Sequence, residues 1–160
     1  MRVEAKLDEL GLVLPEPPKI PPEMQVSFVW VRVHQDRAYV AGHGPQNPDG
    51  SVAHPLGKVG GEVSPEEGYQ AARLTALSIL ASLRRELGDL DRMTAWLMAY
   101  GFVNAAPDFT LTTNVINGFS DLIVELYGLE AGTHARTAPG MATLPLGVPV
   151  IIAAEVAIST

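Results

Sequence analysis

The sequence predicts a single α/β domain, of the α+β kind, in which a mixed sheet carries two helices on one face. Three observations predict it. The elements read in the order β-β-α-β-α-β-β. Each of the two long helical segments has one apolar stripe, so together they cover one side of a sheet. The strands carry apolar or small residues at both parities, so the second face also needs cover, and another copy of the chain is the economical one. With 160 residues and 47% hydrophobic composition, the chain is sized for one core.

Val3, Leu7 and Leu10 recur at i, i+4 and i+7, which predicts a short amphipathic helix stopped at Gly11. Pro15 to Pro22 holds five prolines in eight residues and cannot be helical. Residues 1–25 therefore read as a helix and a stiff connector, and residues 26–160 as the domain. Val26 to Val33 and Ala38 to Ala41 are strands around the polar break His34–Arg37, a β-hairpin. Gly42 to Gly61, rich in Gly and Pro, is a long loop and a candidate site wall.

Ser64-Pro65-Glu66-Glu67 supplies an N-cap, a proline at the first helical position and the acid of a capping box. Tyr69, Ala72, Ala76, Leu80, Leu83 and Leu87 carry that helix to Gly88, which is placed to end it. Met93 to Val103 is apolar at both parities and reads as a strand buried on both faces. Pro107-Asp108 introduces a second helix with Val115, Phe119, Leu122 and Leu126 on its stripe and Gly128 at its end. A strand around Arg136 to Leu144, a turn at Pro145-Leu146-Gly147 and a strand from Val148 to Ile158 complete the order.

Composition excludes several function classes. There are no cysteines, so disulfides, thiol nucleophiles and sulfur-based zinc sites are out. The net charge of −7, with Lys and Arg scattered, argues against nucleic-acid binding through phosphates. Arg84 and Arg85 sit near a helix end, where cations meet the negative end of the dipole. No apolar run is long enough to cross a membrane as a helix, and the charged start Met1-Arg2-Val3-Glu4 is unlike a signal peptide. The reading is a soluble, cytoplasmic protein.

His34, His43, His54 and His134 lack metal-site spacing, so no metal and no cofactor is expected. Gly42-His43-Gly44-Pro45-Gln46-Asn47 lacks the third glycine and following helix of a dinucleotide loop. No nucleophile elbow or Walker loop occurs.

Arg136, at the start of a strand, offers a rigid fork for a carboxylate, or a salt bridge to a neighbouring Glu. Asn117-Gly118 interrupts a helix with two poor helix formers, which marks either a simple irregularity or residues kept for a side chain or a close approach. Glu155 is the one charge of the last strand and faces either a cleft or solvent.

Ala135-Arg136-Thr137 followed by Met141-Ala142-Thr143-Leu144-Pro145, with Tyr39-Val40-Ala41-Gly42-His43-Gly44-Pro45 and Gly57-Lys58-Val59-Gly60, resembles the YjgF/RidA family from Val26 to Ile158. The N-terminal helix, Gly101 to Phe109 and Val115 to Gly118 resemble its longer branch. The resemblance implies a chorismate-mutase-like fold, a homotrimer whose sheets face a central barrel, and ligand clefts between subunits. In the RidA branch those clefts hydrolyse enamines and imines to keto acids and ammonia.

Carried over by position, Arg136 is the carboxylate-binding arginine and Asn117 a cleft asparagine. Gly42 and Ala138 are positions whose backbone meets the ligand. Two positions depart: the family tyrosine falls at Phe28 and the water-positioning glutamate at Ile151, removing the evident acid/base group. The family's labels as endoribonuclease and translation inhibitor gain nothing from this acidic composition. Two functions stay open, an imine or enamine deaminase and a non-catalytic trimer binding a small carboxylate-bearing metabolite; a structural trimer is a third.

Overall fold

The computed structural model describes residues 2–160. Its sheet holds β1 (Val31–His34), β2 (Arg37–His43), β3 (Met93–Asn104), β4 (Ala135–Thr137), β5 (Gly140–Met141) and β6 (Val150–Ile158), in the order β1-β2-β6-β3-β4 with β5 also on β3. β3 runs parallel to β4 and β5, and the other pairs are antiparallel. A parallel pair needs a crossover, supplied between β3 and β4 by α3 (Thr112–Gly132), which packs beside α2 (Pro65–Leu87) on one face. The mixed sheet with two helices on one face is thus the fold, as the sequence predicts.

The core is where the stripes meet that face. Ile79, Leu80 and Leu83 of α2 and Phe119, Leu122 and Leu126 of α3 join Trp96, Ala99 and Val103 of β3 and Val150, Ile152, Ala154 and Val156 of β6. α2 starts as its sequence dictates: Ser64 Oγ accepts from Glu67 N at 3.1 Å, and Glu67 Oε1 accepts from Ser64 N at 2.9 Å. A third helix, α1 (Arg2–Glu9), buries Val3 and Leu7 in the same core. Leu10 lies past its end and is exposed.

Gly118 explains itself by close approach. A Cβ there would lie 2.0 Å from the Tyr69 carbonyl oxygen on α2, so α2 and α3 touch backbone to backbone. Overpacking of this kind costs about 1–3 kcal/mol. Gly118→Ala is therefore expected to lower the urea midpoint by that equivalent, and an unchanged midpoint would mean that the helices are free to part.

Four expectations need correction. The first strand begins at Val31, because residues 26–30 turn aside and only Trp30 joins the ladder, accepting from Ala41 N at 2.9 Å. The strand expected over 136–144 is broken into β4 and β5 at Pro139, which has no N–H for the ladder. The second helix bends at Gly128 (φ 83) and runs on to Gly132 instead of ending. Finally, β3 is buried on its helix side only. On the other side Tyr100 and Phe102, with Ile151, Ala153 and Glu155 of β6, stay half-buried and Tyr39 is exposed.

Candidate functional site

Where the first strand was expected, residues 24–30 instead help to enclose a cavity of about 440 Å³. Phe28, Trp30, Gly42, Gly44, Leu146, Val148 and Ile151 line it, and the connector closes one side through Pro18, Lys19, Ile20, Met24, Gln25 and Val26. Phe28 is 54% exposed at its rim and meets Trp30 edge-on at 5.1 Å. Ile151 caps Gly42: a Cβ on Gly42 would lie 2.9 Å from Ile151 Cγ2, so only glycine leaves room for this side chain. Three expected site residues, Phe28, Gly42 and Ile151, therefore share one pocket.

From His43 in the pocket wall a polar chain runs outward through the buried Ser82 to the exposed Arg85. Arg85 Nη2 donates to Ser82 Oγ (3.1 Å), Ser82 Oγ lies 2.8 Å from His43 Nε2, and His43 Nδ1 lies 2.6 Å from the Ala41 carbonyl. A carbonyl can only accept, so Nδ1 carries the proton and Nε2 accepts from the serine. Arg85 also donates to Pro15 O (3.2 Å). Its cation thus reaches the connector as well as the helix end.

Burial pushes the His43 imidazole down to about 4, against the Ala41 hydrogen bond and with help from the Arg85 charge. A depressed histidine binds fewer protons folded than unfolded. Stability is therefore present at neutral pH and lost as pH falls from about 6.5 to 4, by up to roughly 3 kcal/mol. His134 is pushed down too, chiefly by burial, and acts in the same direction. Urea unfolding at pH 7 and 4.5 checks this: the protein is expected to be weaker at 4.5, and equal midpoints would contradict the buried neutral imidazole.

The other half of the expected site lies elsewhere. Arg136 on β4 donates through Nη1 to Asn117 Oδ1 (3.0 Å) and Ser120 Oγ (2.9 Å), and through Nη2 to Thr113 O (3.0 Å). Its partners are an amide, a hydroxyl and a carbonyl, so the alternative of a Glu salt bridge is not what holds it. Ser120 in turn meets His134 Nε2 at 2.9 Å, and His134 Nδ1 meets Gly132 O at 2.8 Å. The order Arg, Ser, His, carbonyl repeats that at the pocket wall. Burial holds the guanidinium below the usual arginine range, opposed by the Asp121 charge.

One chain does not unite the two halves. Arg136 reaches into the helix layer, whereas Ile151 belongs to the open face. Between β6 and β4 stands β3, with Arg136 level with Ala99 and Ala99 level with Ala154, three residues along from Ile151. That is about 10 Å across and about 10 Å along the sheet. Ala138, next to β4, is half-buried against the core on the Arg136 side.

The connector's contribution was missed because its prolines signal stiffness and nothing about what they cover. The Gly57–Gly60 motif proves to be a clamp. Gly57 N and Val59 N donate to Gly147 O and Asn104 O at 2.7 Å each, and Lys58 Nζ donates to Asn104 Oδ1 (2.9 Å) and to the Ala142 carbonyl. Glu155 lies between Tyr39 and Met98 on the open face, with Tyr100 Oη 3.5 Å from its carboxylate.

Among the described residues the carboxylates of Glu4, Asp89 and Asp91 gather in one place. Asp91 there accepts from Arg2 N and Val3 N, which ties α1 down, far from either half-site. No helix is long and apolar enough to cross a membrane.

No family model matches the sequence. The chain is 39% identical over 155 residues to Protein TCP17 of Trypanosoma cruzi, covering 97% of this chain and 93% of that protein. The crystal structure of Atu1372 from Agrobacterium tumefaciens is similar at a TM-score of 0.87 with 36% identity, covering 99% of this chain and 93% of that one. RidA of the Antarctic bacterium Psychrobacter sp. PAMC 21119 shares the fold at a TM-score of 0.58 and 16% identity, covering 89% and 94%. With the sequence motifs on the elements just described and nearly all of the chain following the same path as these proteins, the chain belongs to the YjgF/RidA family.

Proposed function

We propose that this small-molecule-binding family member acts as a homotrimer that captures a small carboxylate-bearing metabolite. Each site is assembled from the Phe28–Gly42–Ile151 pocket of one copy and the Arg136–Asn117–Ala138 region of the next. The observation that carries this reading is the state of Arg136. Three neutral partners orient its fork, two of its five N–H donors are left, and a desolvated cation without a bonded anion favours an anionic ligand.

The pocket supports binding over hydrolysis. Among the described residues, those lining it include no Asp or Glu, so no general base stands where the family glutamate would be. A second reading, hydrolysis of imines or enamines to keto acids, is favoured by one feature. Glu155 lies on the open face, where a neighbouring copy can present a carboxylate that Ile151 does not. Iminium carbons are electrophilic enough for positioning alone to matter.

Two experiments test these readings. Light scattering is expected to give three times the 17.1 kDa chain mass; a stable monomer at micromolar concentration would remove the shared site. A panel of 2-imino acids generated by an amino-acid oxidase, timed for keto-acid release, separates the functions. Release no faster than the spontaneous rate is expected, and strong acceleration would establish the hydrolase instead.

A further inference from the structure

The N-terminal connector does more than lead into the domain. Glu16 N donates to Pro48 O (2.9 Å), Lys19 N to Gly50 O (3.1 Å), Gln46 Nε2 to Glu16 O (3.3 Å) and Arg85 Nη1 to Pro15 O (3.2 Å). Met24 N closes a turn onto Pro21 O at 3.0 Å. The segment is thereby strapped along the 45–52 loop, its far end tied by α1 into the core. Proline-rich backbone keeps such a strap in place at low entropic cost, because much of its freedom is already lost in the unfolded chain.

What the strap presents is apolar. Ile20, Met24 and Val26 line the cavity together with Phe28, Leu146 and Ile151. Among the described residues Lys19 is the one side chain lining it that is charged at neutral pH, and it is turned to Asp49 at 3.5 Å. A wall without acids and with one cation at its edge suits an anion that carries an uncharged side chain. A cavity of about 440 Å³ is larger than a two- or three-carbon acid needs; pockets of this size hold whole small ligands.

We infer that residues 18–26 are a specificity strap, which makes the site select carboxylate metabolites bearing a branched-aliphatic or aromatic side chain. The inference rests on the binding site proposed above and adds its substrate class. Selection follows from burial: each methylene taken into an apolar wall strengthens binding about fourfold. Three further carbons are worth roughly 60-fold. A second carboxylate placed against Met24 and Val26 is desolvated without a partner and is rejected.

The test is calorimetry on the full-length protein with pyruvate, 4-methyl-2-oxopentanoate, phenylpyruvate and 2-oxoglutarate. Wild type is expected to bind the branched and aromatic acids at least about tenfold more tightly than pyruvate, and 2-oxoglutarate no better than pyruvate. Met24→Glu, with Val26→Ala as a milder truncation that keeps the fold, should shrink the preference several-fold, by weakening the branched and aromatic acids more than pyruvate. Equal affinities in wild type, or a preference that survives both variants, overturn the strap's role while the carboxylate site stands. Failure of every oxo acid to bind wild type removes the site reading and the strap with it.

Discussion

Arg136→Ala is expected to weaken binding of carboxylate ligands roughly ten- to hundredfold while leaving the fold intact. A charged hydrogen bond from a guanidinium to a carboxylate is worth about 1.5–3 kcal/mol, and no other cation is held beside Asn117 by such a set of contacts. Stability should change little, because the groups released, Asn117 Oδ1 and Ser120 Oγ on half-buried residues and Thr113 O on an exposed one, stay near water. Arg136→Lys should also lose most of the affinity, since an ammonium cannot reproduce the planar fork. Circular dichroism serves as the folding control and calorimetry as the readout. Unchanged affinity in Arg136→Ala would make the residue a brace between β4 and α3 and nothing more.

Ile151→Glu is expected to raise imine hydrolysis above the wild-type level, by as much as about 100-fold, the low end of what general acid/base groups contribute. The position is level with Phe102 on β3 and caps Gly42 in the pocket, so the new carboxylate would face bound ligand. Desolvation there raises its pKa, with two consequences of known sign. Activity should climb with pH as the carboxyl ionises. Stability should fall over the same range, because a folded pKa above the unfolded one favours the native state only at low pH. A variant as slow as wild type, though still binding oxo acids, would show that Ile151 is not where water must be activated.

Much of the fold was legible because its determinants are local. The Ser64–Glu67 capping box, the stripe through Phe119 and Leu126 and the Gly118 anomaly each follow from spacing within one segment, and each has its counterpart in space. Expectations went astray where a distant contact decided. Residues 26–30 look like strand by composition, yet they are drawn away to line a pocket whose other walls come from β6 and the 145–148 turn. Composition alone also makes β3 doubly buried, whereas one face waits for cover that a single chain does not supply.

The candidate site shows the same division. Arg136 and Asn117 were found apart and meet through a 3.0 Å hydrogen bond, and Phe28, Gly42 and Ile151 meet around one cavity. Their separation into two half-sites could not be read from the sequence, which carries no sign of which strands lie between β2 and β4. Nor could the polar chains through Ser82 and Ser120, since neither serine sits in a recognisable motif.

If one ligand site draws on two copies of the chain, as proposed, two differently damaged chains complement each other in mixed trimers. Arg136→Ala keeps the pocket and loses the cation. Gly44→Trp keeps the cation and fills the pocket, because Gly44 lines the cavity with Ile151 Cδ1 3.6 Å from where its Cβ would stand. Neither variant alone should bind 4-methyl-2-oxopentanoate. Unfolded together in equal amounts and refolded, they should recover binding at about one quarter of the sites, the share in which an intact pocket meets an intact Arg136 across a cyclic interface. No recovery, in preparations that mass spectrometry shows to contain mixed trimers, would contradict the shared site and leave each chain to bind on its own.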